Sequence, residues 1–328
     1  MSFQIDPGRK AEKQVIDLIC HRLQKAATAL ESGSVPGVHD ARKRLKEARG
    51  LLRLIREPVG NRLFEGENRL LRDVGQQLAA QRDAEAMVEC WDRLVASNPG
   101  PLGSAAMKKV RERLAARIPD CTLDRQVLAR LLETLQHAGD DVSRLPLKGR
   151  GFSLFSAGLH RTYRDGRRAL ARAIRTPSNE NLHEWRKRVK DHWYQTFLLQ
   201  QAWPEMFMAR LQQLKSLADS LGDDHDLAVL QQLIEQQPAL FGAASTRSRI
   251  SAEAGRRRAE LFAHSLELGA LFYAEKPKAL VERWTDLWRL AARHKKALPA
   301  DPAGEPLKPV HTRLQARAVQ SGKDSELL

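Results

Sequence analysis

The sequence predicts an all-α fold, and three observations carry that prediction. Leu, Ala, Arg, Gln, Glu and Lys dominate a chain of 328 residues in which aromatic residues make up 5%, and these side chains lose little rotamer freedom in a helix. Apolar residues recur at helical spacing, as in Val15, Ile19, Leu23 and Leu30 ahead of residues 33–37, and in Leu287 and Leu290 ahead of Pro299. Proline and glycine punctuate these runs, which marks a succession of helices long enough in total to bury a large core.

The succession contains a repeat. Residues 38–46 read Val-His-Asp-Ala-Arg-Lys-Arg-Leu-Lys and residues 182–190 read Leu-His-Glu-Trp-Arg-Lys-Arg-Val-Lys. Both fit His-x-x-Arg-Lys-Arg-x-Lys, 144 positions apart. A second pair runs from Leu71-Arg72 through Leu78 to Arg82-Asp83, and from Leu214-Lys215 through Leu221 to His225-Asp226, at a shift of 143. Two matches in one order and at nearly one offset point to duplication of a unit of roughly 140 residues. The expected halves are about 1–148 and 149–297, neither of which is expected to stand alone, with connections at 97–103 and 145–151. Beyond Leu298, Pro299, Pro302, Gly304, Pro306 and Pro309 break any helix, so 298–328 is expected to be a flexible tail.

The formal net charge of +15 implies a polyanionic partner. Nucleic acid, an anionic membrane surface and inorganic polyphosphate all meet that requirement. Cys20, Cys90 and Cys121 are odd in number and lack metal-ligand spacing, which argues against a disulfide framework and a zinc site and fits a reducing cytoplasm. Residues 1–13 have no apolar signal core, and no run of about 18 apolar residues exists to span a bilayer. A soluble, intracellular protein is expected.

The charge is organised. On a helix over 39–56, measured from His39 at about 100° per residue, Arg42, Lys43, Lys46, Arg49 and Arg53 fall between about −80° and +40°, in one arc with His39. Ala41, Leu45, Ala48, Leu51, Leu52 and Ile55 fall between about 120° and 240°, on the opposite face. Seven Arg or Lys stand against two acids, Asp40 and Glu47, and both acids lie off the arc. Like charges three and four apart destabilise a helix by a few tenths of a kcal/mol per pair, so a purely structural helix would gain from interleaved acids. The arc runs about 21 Å from residue 39 to 53, a length suited to a linear polyanion.

A second stripe comprises Arg161, Arg164, Arg168, Arg172 and Arg175, opposite Leu159, Tyr163, Leu170, Ala173 and Ile174, which are expected to be buried. His183, Arg186, Lys187 and Lys190 repeat the first arc, which then stops at Trp193, Tyr194 and Phe197. His39 and His183 are donors that a phosphate oxygen accepts from, and protonation near neutral pH would add charge.

Other signals point elsewhere or nowhere. Asp219, Asp223 and Asp226 share a helix face, and His225-Asp226 resembles the metal-binding pair of phosphohydrolases. The first half offers Gln76, Ala80 and Asp83 at the matching positions, so no ligand set recurs; Asp83 and Asp226 are expected to hold arginines or cap a turn. There is no G-x-x-x-x-G-K-[ST] loop, no G-x-S-x-G elbow and no H-E-x-x-H, and nothing places a nucleophile beside a base. Trp185, Trp193, Trp284 and Trp288 are expected in the core more than against bases. Arg247, Arg249 and Arg256–Arg257–Arg258, like Lys108, Lys109, Arg111 and Arg113, point around their helices and make a mixed rim.

The paired segments His39-Asp-Ala-Arg-Lys-Arg-Leu-Lys and His183-Glu-Trp-Arg-Lys-Arg-Val-Lys-Asp, each followed by Arg82-Asp83 or Leu221-Gly222-Asp223-Asp224-His225-Asp226, closely resemble the two halves of the CHAD domain, the conserved histidine α-helical domain. The likeness covers about residues 1–297. It implies two pseudo-symmetric helical bundles around a basic groove or pore, inorganic polyphosphate bound there, and association with polyphosphate granules. By that likeness His39, Arg42, Lys43, Lys46 and Arg49 bind in the first half, and His183, Arg186, Lys187 and Lys190 in the second. Arg53, Arg161, Arg164 and Arg168 join them on the stripe geometry. The expectation is a polyphosphate-binding protein that is not an enzyme and needs no cofactor. The alternatives are a DNA- or RNA-associated basic protein and a metal-dependent polyphosphate hydrolase.

Overall fold

A computed structural model describes residues 3–78, 80–118 and 124–297, and all side chains of these except 80–83 and 296–297. The side chains of Arg82 and Asp83, Cys121 and the expected tail at 298–328 lie outside the described residues. Every regular element among the described residues is helical, as the composition predicts. In chain order the α-helices are α1 (Ala11–Glu31), α2 (Val35–Leu54), α3 (Arg56–Val59), α4 (Asn61–Gln77), α5 (Ala80–Ser97), α6 (Pro99–Leu102), α7 (Ala105–Ala115), α8 (Arg125–Ser143), α9 (Ser153–Arg175), α10 (Asn179–Leu199), α11 (Pro204–Gln236), α12 (Ala244–Phe272) and α13 (Pro277–Ala297), with short 3-10 turns at Gln200–Ala202 and Pro238–Phe241.

Local chemistry starts several of them. Ser34 accepts from the Gly37 amide ahead of α2, Asp124 from Gln126 and Val127 ahead of α8, and Ser178 from Asn181 ahead of α10, each satisfying a first-turn donor that the helix itself leaves open. Proline opens α11 and α6, where its missing N–H costs nothing.

The apolar faces close into two clusters. The larger joins α1, α2, α4, α8, α9, α10 and α13 with Phe207, Leu214, Leu217 and Leu221 of α11. The smaller joins α5, α7 and α12 with Leu227, Leu230, Leu233 and Ile234 of the same helix. Both clusters therefore draw on both halves of the chain, and neither half packs as a separate unit. α11 spans the two clusters with the polar segment 222–226 between its apolar ends. In the first half the same passage is made by two helices: α4 contributes Leu71 and Val74 to the larger cluster, and α5 contributes Trp91 and Leu94 to the smaller.

Two crossings position the cationic helices. α2 and α10 meet where Gly50 lies under Tyr194; a Cβ on Gly50 would sit 3.2 Å from the Tyr194 Cβ. These two positions are themselves 144 apart, the shift of the repeated segment. Tyr194 is thus a packing residue at the crossing, which is why the second arc ends there. α9 lies across the end of α2 at Gly158, where a Cβ would overlap the Leu54 carbonyl group.

The expected core is present on α2 and the residue that caps it, where Ala41, Leu45, Ala48, Leu51, Leu52 and Ile55 are all buried. Trp185, Trp284 and Trp288 are buried as well. Ile174 corrects the reading of α9: it is 56% exposed, because it falls in the last turn before the helix ends at Thr176. Leu290 of α13 is likewise exposed.

Candidate polyanion-binding surface

On α2 the arc faces away from the core. His39, Lys43 and Lys46 are exposed, and Arg42, Arg49 and Arg53 are half-buried. Arg42 donates from Nη1 to the Leu78 carbonyl at 2.6 Å, at the end of α4. Arg49 donates from Nε to Asn68 Oδ1 at 3.1 Å. Burial, with the Arg53 charge adding to it, pushes the Arg49 guanidinium down to about 10 against the pull of Asp191 and Asp73. The two acids of the helix are used off the arc: Asp40 and Glu47 hold Arg44, and Glu47 also holds the buried Arg22 of α1 at 3.1 Å. Arg53 is different, for it pairs with Asp191 of α10 at 2.9 Å.

On α10 the same spelling meets a different neighbour. His183 lies against His225 of α11, ring centroids 4.5 Å apart, and its Nδ1 is buried without a hydrogen bond. Burial first, then the nearby His225, Lys187 and Arg186, push His183 down to about 4. This corrects the expectation of a histidine that charges near neutral pH. Arg186 packs on Gly222, its Nη2 3.3 Å from where a Cβ would stand, so a larger residue there would press on the guanidinium. Arg186 sits 144 positions after Arg42, and Gly222 one residue after Leu221, the counterpart of Leu78. The two arginines thus reach corresponding places on the helices that follow them. Lys187 is bound by Glu184 at 2.8 Å. Burial and Arg186 lower the Lys190 ammonium, against the pull of Asp219, Asp226 and Asp191.

The α9 stripe is partly neutralised. Arg161 pairs with Glu57 of α3 and donates to the Arg53 carbonyl at 2.7 Å; burial lowers it to about 10. Arg164 folds onto its neighbour Asp165 at 2.9 Å. Arg168 is exposed, as are Arg172 and Arg175. A stripe of one sign along its own helix has acquired carboxylates from outside the stripe.

Sequence reasoning missed Arg93. From α5 it bridges Asp223 at 3.2 Å and Asp226 at 3.0 Å on α11, tying the two halves across the polar segment. The spacing of those aspartates was visible, but their partner lies 133 residues before Asp226. Asp226 does hold an arginine; Asp83 is outside the described side chains. Among the described residues no three His, Cys, Asp or Glu are grouped to hold a metal ion. The other basic clusters are largely used in packing: Arg258 binds Asp224, Gln231 and Asn179, Arg256 binds Glu253 and Glu260, and Arg111 binds Asp92.

Fold and surface together define an all-α protein with paired histidine-containing helices and cations concentrated along them. The family model described as the CHAD domain matches residues 14–235. The chain belongs to the CHAD domain family. That match ends within α11, and α12 and α13 complete the two apolar clusters beyond it. No curated protein matches the chain. Among the described residues no helix is long and apolar enough to cross a membrane.

Proposed function

We propose that this protein binds inorganic polyphosphate along the cationic faces of α2 and α10 and acts as a binding protein, not an enzyme. Membership of the CHAD family supports the ligand, since the family is linked to polyphosphate binding in general. The observation that carries the reading is the crossing at Gly50 and Tyr194. From it each arc extends toward its histidine over the same number of residues, about 16 Å along each axis, and in this reading a chain-like anion bridges the two cationic rows.

The contacts are charge-assisted hydrogen bonds. Arg42, Arg49 and Arg186 offer forked donors to phosphate oxygens, and Lys43, Lys46, Lys187 and Lys190 offer point charges. His39 and neutral His183 donate one N–H each. Arg53, Arg161 and Arg164 flank the path with their carboxylates already in place, and Arg168 adds an exposed charge. In the cell this binding serves polyphosphate granule targeting or storage in the cytoplasm.

The test is the quadruple reversal Arg42→Glu, Lys46→Glu, Arg186→Glu and Lys190→Glu. Isothermal titration with long-chain polyphosphate is expected to show no binding, while circular dichroism shows an intact helical fold. Unchanged affinity would defeat the reading. Duplex DNA displacing the chain at equal phosphate concentration and matched salt would remove its specificity and favour a nucleic-acid partner. Divalent-dependent phosphate release that disappears in Asp226→Ala would make the protein a hydrolase.

A further inference from the structure

A cleft of about 850 Å³ opens where the start of α1, the segment leading into α9 and the last turns of α13 meet. Its walls carry Arg9, Lys10, Arg150, Arg289 and Arg293 against one carboxylate, Glu12. None of these residues belongs to α2 or α10. Five like charges around one concavity repel one another, and a low-dielectric wall focuses their field into the opening.

The neighbouring acids do little to offset them. Asp6 is taken by the Lys295 ammonium and the Gly8 amide, each at 2.8 Å, and lies 3.8 Å from Arg9. Asp286 reaches Arg289 at 3.3 Å in an exposed pair. Among the described residues no carboxylate stands within ion-pair distance of Lys10, Arg150 or Arg293. α1 and α9 both begin at the cleft without a side-chain cap, and the positive ends of their macrodipoles add to the cations. The first amides of α9 are paired within their own turn, Ser153 to the Arg150 carbonyl and Leu154 to the Gly151 carbonyl, so that helix contributes field and not donors.

The walls are built. Gly8 sits tightly beneath Lys295, where a Cβ would lie 3.1 Å from the lysine Cβ. Ser153 Oγ donates to the Arg150 carbonyl at 2.7 Å and closes the turn that presents Arg150. Phe152 and Trp288 pack beneath, ring centroids 5.7 Å apart and both buried, which leaves no exposed aromatic face for a base to stack on.

We propose that this cleft is a second anion site, which takes a compact polyvalent phosphate such as tripolyphosphate, either free or as the end of a longer chain. It stands whether or not α2 and α10 bind polyphosphate. Arg150, from the segment leading into α9, and Arg293, from α13, supply forked donors to the phosphate oxygens, and Lys10 a point charge.

The experiment is isothermal titration of the full chain with inorganic tripolyphosphate, comparing Arg150→Gln/Arg293→Gln with the quadruple reversal on α2 and α10. Both arginines are exposed, so the double variant is expected to keep its unfolding midpoint and to bind tripolyphosphate about tenfold or more weaker. The quadruple variant is expected to retain this binding. In that variant, displacement of tripolyphosphate by long-chain polyphosphate assigns the cleft to chain ends, and no displacement assigns it to the free short anion. ATP binding as tightly as tripolyphosphate in the same variant adds a nucleotide's phosphate tail as a source. Arg9→Gln/Lys10→Gln is a second probe of the same walls. Affinity within about twofold of wild type in both double variants, or binding lost in the quadruple variant instead, overturns the assignment.

Discussion

Compare α2 and α10 position by position. On α2, His39, Lys43 and Lys46 are exposed, whereas on α10 the counterparts His183 and Lys190 are half-buried and Lys187 is bound to Glu184. The motif is the same, so the difference comes from what packs opposite. α11 brings His225, Asp219 and Asp226 toward α10; at the place matching Asp219, α4 brings the neutral Gln76. A repeated cationic motif therefore leaves its histidine and both lysines exposed in one half and its histidine and last lysine half-buried in the other. The lesson is that a helix encodes its own face but not the charge of the face that meets it.

The widest separation between the two rows is expected from matched reversals. Lys43→Glu/Lys46→Glu should weaken long-chain polyphosphate binding by about 100-fold or more, and Lys187→Glu/Lys190→Glu by about tenfold. Titration calorimetry at fixed salt reads both; equal losses would erase the distinction between the rows. Raising the salt should weaken the wild-type affinity steeply, as counterion release requires.

Next in size is the contact that seats α9 on the end of α2. Gly158→Ala is expected to destabilise the fold by about 1–3 kcal/mol through overlap with the Leu54 carbonyl. Urea denaturation measures it, and an unchanged midpoint would mean that α9 slides on α2 at no cost.

The histidine of the buried row should leave a pH signature. His183 titrates near 4 in the fold against an ordinary 6.5, so between these values the unfolded chain binds a proton that the folded chain does not. Its contribution to stability is complete above 6.5 and is lost as the pH falls toward 4. His183→Asn should flatten that acid slope in unfolding experiments. It should not abolish it, because the fully buried His192 is also held neutral, by burial and by Arg210. A slope identical to wild type would show that His183 is more solvated than its packing against His225 implies.

The smallest effect is expected on α9. Arg164→Ala should alter polyphosphate affinity by less than about twofold, because its guanidinium is already held by Asp165. A larger loss, seen in the same titration, would mean that the carboxylate yields the arginine to the ligand.

Much of this was legible in the residues. The apolar positions of α2 follow from a period of 3.6, and all six are buried. The off-arc location of Asp40 and Glu47 was likewise readable, and both indeed hold Arg44 off the arc. What could not be read were acids arriving from elsewhere: Asp191 reaches Arg53 across 138 residues, and Glu57 reaches Arg161 from α3. Arg93, which binds Asp223 and Asp226, stood out in no pattern at all. Periodicity reports the neighbours of a residue along its own helix, and these partners belong to other helices.

By itself, then, the sequence determined that the chain is helical, which side of α2 is apolar, and that its cations gather in rows repeated 144 residues apart. Only the tertiary structure decided which of those cations face solvent, which are held by carboxylates, and that five others meet in one cleft at the ends of α1, α9 and α13. The physical reason is range. Helical periodicity acts over three or four residues, while Coulomb attraction and desolvation depend on distances set by how the helices pack.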